Sequence, residues 1–192
     1  MRLACLGVVL PRVRVLVEAS LRLDAGLFRR DMLLLAAIAA AIDAPLYILV
    51  SLAASPTLAA LMFAVLVPLL AYAAYLGRAG WLGVVVGEGW VRARYVSCIR
   101  VREVTARAQC RVKLVTPGDP LWPVLRLCGT RFTTGFGLFQ ARDGTRYYAL
   151  MAPRCEAAAY IEAGDLRLFV CCDGASIHSF LERVRGLCRV EL

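Results

Sequence analysis

The 192-residue chain contains no asparagine, one lysine (Lys113) and one histidine (His178). Each shortage removes a class of chemistry. His178 falls beside Ile177 and Phe180 in a helical pattern, which makes it a packing or surface residue, and no nucleophile–base pair accompanies it. The glycine-containing stretch GTRFTTGFG (129–137) has neither the lysine nor the following helix of a phosphate loop. Eight cysteines stand at 5, 98, 110, 128, 155, 171, 172 and 188 without a Cys-x-x-Cys spacing, and adjacent Cys171 and Cys172 on a strand point to opposite faces. The residues therefore indicate no enzyme, no cofactor and no metal site. The cysteines read as small buried hydrophobes, since a cytoplasmic disulfide is unusual outside hyperthermophiles.

A dense basic run is also missing. The formal net charge is +9, yet the arginines are scattered, six against three acids up to Asp31 and fifteen with Lys113 against ten acids from Leu82 onward. Solvated faces and membrane orientation explain that distribution better than a nucleic-acid footprint does. The lack of asparagine suits heat, whereas the scarcity of lysine does not, so composition leaves the growth temperature open.

What the chain has in excess is apolar sequence, at 60% of residues against roughly 45–50% in ordinary globular domains. The excess is concentrated in residues 32–54, MLLLAAIAAAIDAPLYILVSLAA, and 57–77, each long enough for a helix to cross a hydrocarbon core. Ser55-Pro56-Thr57 between them predicts a tight antiparallel transmembrane hairpin over 32–78. Arg22, Arg29 and Arg30 before the first run, and Arg78, Arg92 and Arg94 after the second, place both termini in the cytoplasm of a multi-pass cell-membrane protein. Asp43 near the middle of the first run is a candidate intramembrane polar site beside Pro45, either a buried contact to the second helix or an ion or proton site.

Residues 1–31 form an N-terminal segment. Leu3 to Leu10 is too short for a convincing signal peptide, and Leu3-Ala4-Cys5 only faintly suggests lipoprotein processing. Residues 12–24 alternate as a strand would, or form a short helix lying on the membrane; Val13, Leu16, Val17 and Leu21 approximate one helical face and favour the second.

After Trp81 the texture changes to short β signals. LGVVV (82–86), WVRARYV (90–96), IRVREVTARA (99–108), AAAYIEA (157–163) and LRLFVCC (166–172) read as strands. In GFGLFQARDGTRYYALM (135–151), Asp143-Gly144 between two apolar runs predicts a hairpin. TPGDPLWP (116–123) has three prolines and predicts a loop or an edge. DGASIHSFLERVRGLC predicts a closing helix capped by Asp173 and ended by Gly186. Arg92 and Arg94 share a face of one strand, as do Arg100 and Arg102 of the next. With those faces aligned the four would form one patch for anionic headgroups or a protein partner.

Two spans, these strands and a closing helix resemble the bacterial PH domain family. The likeness covers roughly residues 82–187 and rests on Gly135, Gly137, Phe139, Asp143-Gly144, Tyr147, Tyr160-Ile161, Gly164, Phe180 and Leu181. It implies an α+β chain in which a transmembrane helical hairpin precedes a PH-like antiparallel β-barrel (82–192) capped by a C-terminal helix. The expected function is a non-enzymatic, membrane-anchored interaction module, an adaptor or scaffold. Its expected partners are the lipid bilayer, anionic headgroups, and an unidentified protein or further copies of the chain, with no nucleic acid. The alternative is a small oligomeric transport or channel component that uses Asp43.

Overall fold

The computed structural model describes residues 18–53, 67–68, 70–75, 80–98, 100–131 and 134–191. The chain divides into two compact units, one formed by the segment up to Asp24 together with Trp81 onward, the other by Ala25–Gly80. The second is thus an insertion between two strands, β1 (Ala19–Asp24) and β2 (Trp81–Gly87), whose antiparallel register begins where the insertion leaves and returns, at Asp24 opposite Trp81.

Over Ala19–Asp24 the chain is a strand, not the interfacial helix expected across 12–24. ASLRLD (19–24) buries Ala19, Leu21 and Leu23 and turns Ser20, Arg22 and Asp24 the other way. That period of two is what a half-covered strand requires. Residues 1–17 lie outside the described residues.

The inserted unit holds α1 (Ala25–Ala53), with Pro45 inside it, and helical residues 70–75. Among the described residues no helix is long and apolar enough to cross a membrane. The transmembrane hairpin, the multi-pass placement and the cytoplasmic termini inferred from it are corrected accordingly. Leu33, Leu34, Ile38, Ile42 and Ile48 of α1 are exposed. Early α1 also has a buried side, with Phe28, Met32 and Ala36 recurring every fourth residue. Most of the expected second run, 57–77, lies outside the described residues. Asp43 falls within α1, and its side chain lies outside them too.

Among the described residues strand predominates over helix, and the sheets are open. The first has the order β1-β2-β3-β4, with β3 Trp90–Ser97 and β4 Arg100–Ala106. The second comprises β5 (Cys110–Val115), β6 (Pro123–Arg131), β7 (Gly135–Ala141), β8 (Arg146–Met151), β9 (Ala157–Ala163), β10 (Leu166–Cys172) and β11 (Arg189–Glu191). Its order is β11-β5-β9-β10-β8-β7-β6. The PH-like barrel is therefore corrected to two open sheets. Two pairings in the larger sheet, β8 with β10 and β5 with β11, are parallel. Alternation marks a strand but does not name its neighbour, so neither closure nor the parallel pairs could be read from it.

The local signals hold well. The Asp143-Gly144 turn joins β7 to β8: the Thr145 N–H donates to Asp143 Oδ1 at 2.8 Å, and Gly144 takes φ +89°. Residues 116–122 form the expected loop. Lys113 Nζ lies 3.1 Å from Asp119 Oδ2, and the Leu121 N–H donates to Asp119 Oδ1 at 2.8 Å. The closing helix α2 (Gly174–Val184) is capped by Asp173, which accepts from the Ser176 N–H at 2.9 Å. Its buried residues Ile177, Phe180, Leu181 and Val184 belong to an element that contacts β1, β5, β9 and β10, so α2 bridges strands of both sheets. His178 is exposed on its outer side.

On one face of the larger sheet Tyr147, Phe169 and Tyr160 pack together, with Leu121 and Trp122 from the 116–122 loop against them. Tyr147 stacks on Phe169 with centroids 5.2 Å apart, and its hydroxyl donates to the Leu121 carbonyl at 2.6 Å. Central β9 and β10 are buried on both faces, which is why they read as nearly continuous apolar runs. Among the described residues three disulfides cross-link the unit: Cys98–Cys128, Cys110–Cys188 and Cys155–Cys171. Six of the cysteines expected as packing residues are cross-links. Such bonds persist in oxidising compartments or inside hyperthermophiles.

The buried tyrosines make stability sensitive to alkali. Burial raises the Tyr147 hydroxyl above the ordinary tyrosine range, with Asp143, Tyr160 and Asp119 adding to the effect. Burial also raises Tyr160, whose hydroxyl donates to Glu162. The unfolded chain ionises its tyrosines near pH 10 and the folded one only higher. Their contribution is therefore full below about pH 10 and lost as pH climbs toward the folded values, by up to about 1.4 kcal/mol per pH unit per group. Urea midpoints between pH 8 and 11 should be flat at first and then fall, and Tyr147→Phe should make the fall shallower. An unchanged slope in that variant would contradict the assignment.

Candidate functional site

Strand pairing sets the composition of the outer face of the first sheet. Arg22 lies opposite Gly83, Gly83 opposite Arg94, and Arg94 opposite Glu103. Directly paired residues project to the same side, so this line crosses all four strands on one face. Residues two removed along the strands join it, among them Trp81, Arg92 and, at the rim, Asp24, together with the buried Val85 and Val96. Gly83 has φ +141°, and a Cβ there would fall 2.1 Å from the Leu21 carbonyl oxygen. Only glycine fits, and the middle of the line carries no side chain.

Trp81 organises the flanking cations. The Arg22 guanidinium carbon sits 4.8 Å from the centroid of its indole and that of Arg94 5.9 Å, within range for cation–π attraction to each. The Nε atoms of Arg22 and Arg94 are buried and make no hydrogen bond among the described residues. Glu103 is shared, with Oε1 2.6 Å from Arg92 Nε and Oε2 3.8 Å from Arg94 Nε. Arg92 is 53% exposed and Glu103 38%, so their pair is worth about 0–1 kcal/mol. A second indole, Trp90, lies against Gly87 on the same face, since a Cβ at Gly87 would fall 2.3 Å from that ring.

The predicted four-arginine patch is not formed. Arg100 pairs with Ser97 and Arg102 with Tyr95, so these two project to the side of Val91, Ala93 and Tyr95, away from Arg92 and Arg94. Tyr95 stacks on Tyr148 at 4.4 Å. Burial pushes its hydroxyl up, Tyr148 adds to this, and the Arg102 charge works the other way. The site thus keeps Arg92 and Arg94, loses Arg100 and Arg102, and gains Arg22 and Trp81. Arg22 was reachable through the alternation of residues 19–24; its distance in sequence from Arg94 hid the juxtaposition.

No group of three or more metal-ligating side chains occurs among the described residues. No family model matches the chain, and no curated protein or solved structure matches it either.

Proposed function

We propose that the chain is a non-enzymatic protein-interaction module that holds an acidic surface of a partner on the outer face of its first sheet. The observation that carries this reading is the placement of two guanidinium groups, Arg22 and Arg94, on one indole, Trp81. Arginine and tryptophan are the side chains that dominate binding energy at protein interfaces, and a guanidinium held in place loses less entropy on taking a carboxylate. Three guanidiniums face Glu103 and the rim carboxylate of Asp24, so a cation remains in excess. The exposed Glu103 pairing is weak enough for an incoming carboxylate to replace it.

Poly-L-glutamate titrated into the full chain, followed by tryptophan fluorescence, tests this. Binding should weaken from 0.1 to 1 M salt as the screening length drops from about 10 to about 3 Å. Trp81→Phe should remove most of the signal, and Arg22→Gln with Arg94→Gln should weaken binding about tenfold or more. Binding indifferent to the double change would overturn the reading. Affinity for anionic vesicles without affinity for polyglutamate would reassign the face to a lipid surface.

A further inference from the structure

Strand β6 ends the larger sheet, paired with β7 alone among the described residues. Natural proteins blunt such an edge, because its free N–H and C=O groups accept another strand. Pro123 and two breaks in register do so in part here. Yet Val124, Leu125 and Leu127 are 55%, 52% and 39% exposed. The breaks fall between Pro123 and Leu125 and between Arg126 and Cys128, so Val124 and Leu127 are the bulged residues, with no partner in the β7 register. Bulges re-aim side chains, and these two aim aliphatic groups into solvent. Arg126, between Leu125 and Leu127, is exposed as well. The Cys98–Cys128 disulfide ties the middle of β6 to the β3–β4 turn and fixes the edge in place.

We infer that β6 is a second docking edge, independent of the Arg22–Trp81–Arg94 face, and that its occupant is an extended acidic segment of a partner protein. Charge selects this occupant. From Pro120 to Arg142 the sequence has no acidic residue, while Arg126 and Arg142 are exposed. A second β6 would bring arginine to an acid-free strip. An extended segment alternating aliphatic and acidic residues meets each need: main-chain hydrogen bonds for the edge, apolar cover for Val124, Leu125 and Leu127, and carboxylates for Arg126 and Arg142.

A random nonapeptide library displayed on phage and selected against the oxidised full chain tests the inference. The enriched peptides should alternate aliphatic with acidic residues and should slow hydrogen exchange in β6. Leu125→Glu, at an exposed position, should weaken the best of them about tenfold or more. Arg126→Glu should shift enrichment from acidic to basic residues, and Arg22→Gln with Arg94→Gln should leave the binding unchanged. No enrichment, enrichment without acidic residues, or undiminished binding to the Leu125→Glu variant would overturn it. A dimer in sedimentation that Leu125→Glu abolishes would assign the edge to self-pairing and overturn it equally.

Discussion

Serine at both Cys110 and Cys188 should lower the unfolding free energy by about 4.5 kcal/mol. The bond joins residues 78 apart, and the chain-entropy relation makes a loop of that length cost about that much to close. The same relation gives about 3.6 kcal/mol for Cys98–Cys128, with a separation of 30, and about 3.1 kcal/mol for Cys155–Cys171, with a separation of 16. Location reinforces the ranking. Cys188 immediately precedes β11, a strand of three residues that pairs in parallel with β5 right after Cys110. Without the cross-link that short strand has little to hold it, and the C-terminal end should fray first. Urea denaturation of the three double-serine variants by circular dichroism would establish the order. A loss below about 1 kcal/mol for the 110–188 pair would mean that the bond does not close this loop in solution.

Phe169→Ala should cost about 3–5 kcal/mol, the usual range for emptying a large buried aromatic site. Phe169 is fully buried between the stacked ring of Tyr147 and the edge-on ring of Trp122, 5.7 Å away. Its removal takes support from both the sheet and the 116–122 loop. Tyr147→Phe keeps the stacked ring and deletes only the hydroxyl bond to the Leu121 carbonyl, so it should cost about 1 kcal/mol. Near-ultraviolet circular dichroism should show the Trp122 band collapse in the first variant and persist in the second. Equal losses would mean that the loop is held by the hydroxyl and not by the ring stack.

Much of the local structure is legible in the sequence because its causes are local. Asp143 and Gly144 make their own turn, Asp173 caps its own helix, and Pro117, Pro120 and Pro123 keep residues 116–122 out of a ladder. What escaped depends on pairing at a distance. Ser97 meets Arg100 across the short β3–β4 turn, so residues of like parity fall on opposite faces. One residue more in that turn would have aligned Arg92, Arg94, Arg100 and Arg102. Likewise Arg22 reaches Trp81 and Arg94 because an inserted unit separates two strands that pair as neighbours. Alternation within 19–24 announces the strand but not its partner. The expected spans rested on apolar letters alone, which do not say which side of a helix the protein covers: Phe28, Met32 and Ala36 are buried, whereas Leu33, Leu34 and Ile38 are exposed.

The register of β3 and β4 and the role of the outer face are tested together by comparing two double variants in the polyglutamate titration. Arg22→Gln with Arg94→Gln, and Arg100→Gln with Arg102→Gln, each remove two positive charges from a chain of formal net charge +9. If the face organised by Trp81 is the binding surface, the first pair weakens binding about tenfold or more, while the second leaves it nearly unchanged. Equal weakening by the two pairs would show that net charge alone draws the polyanion, and would contradict both the split of the arginines and the interaction face built on it.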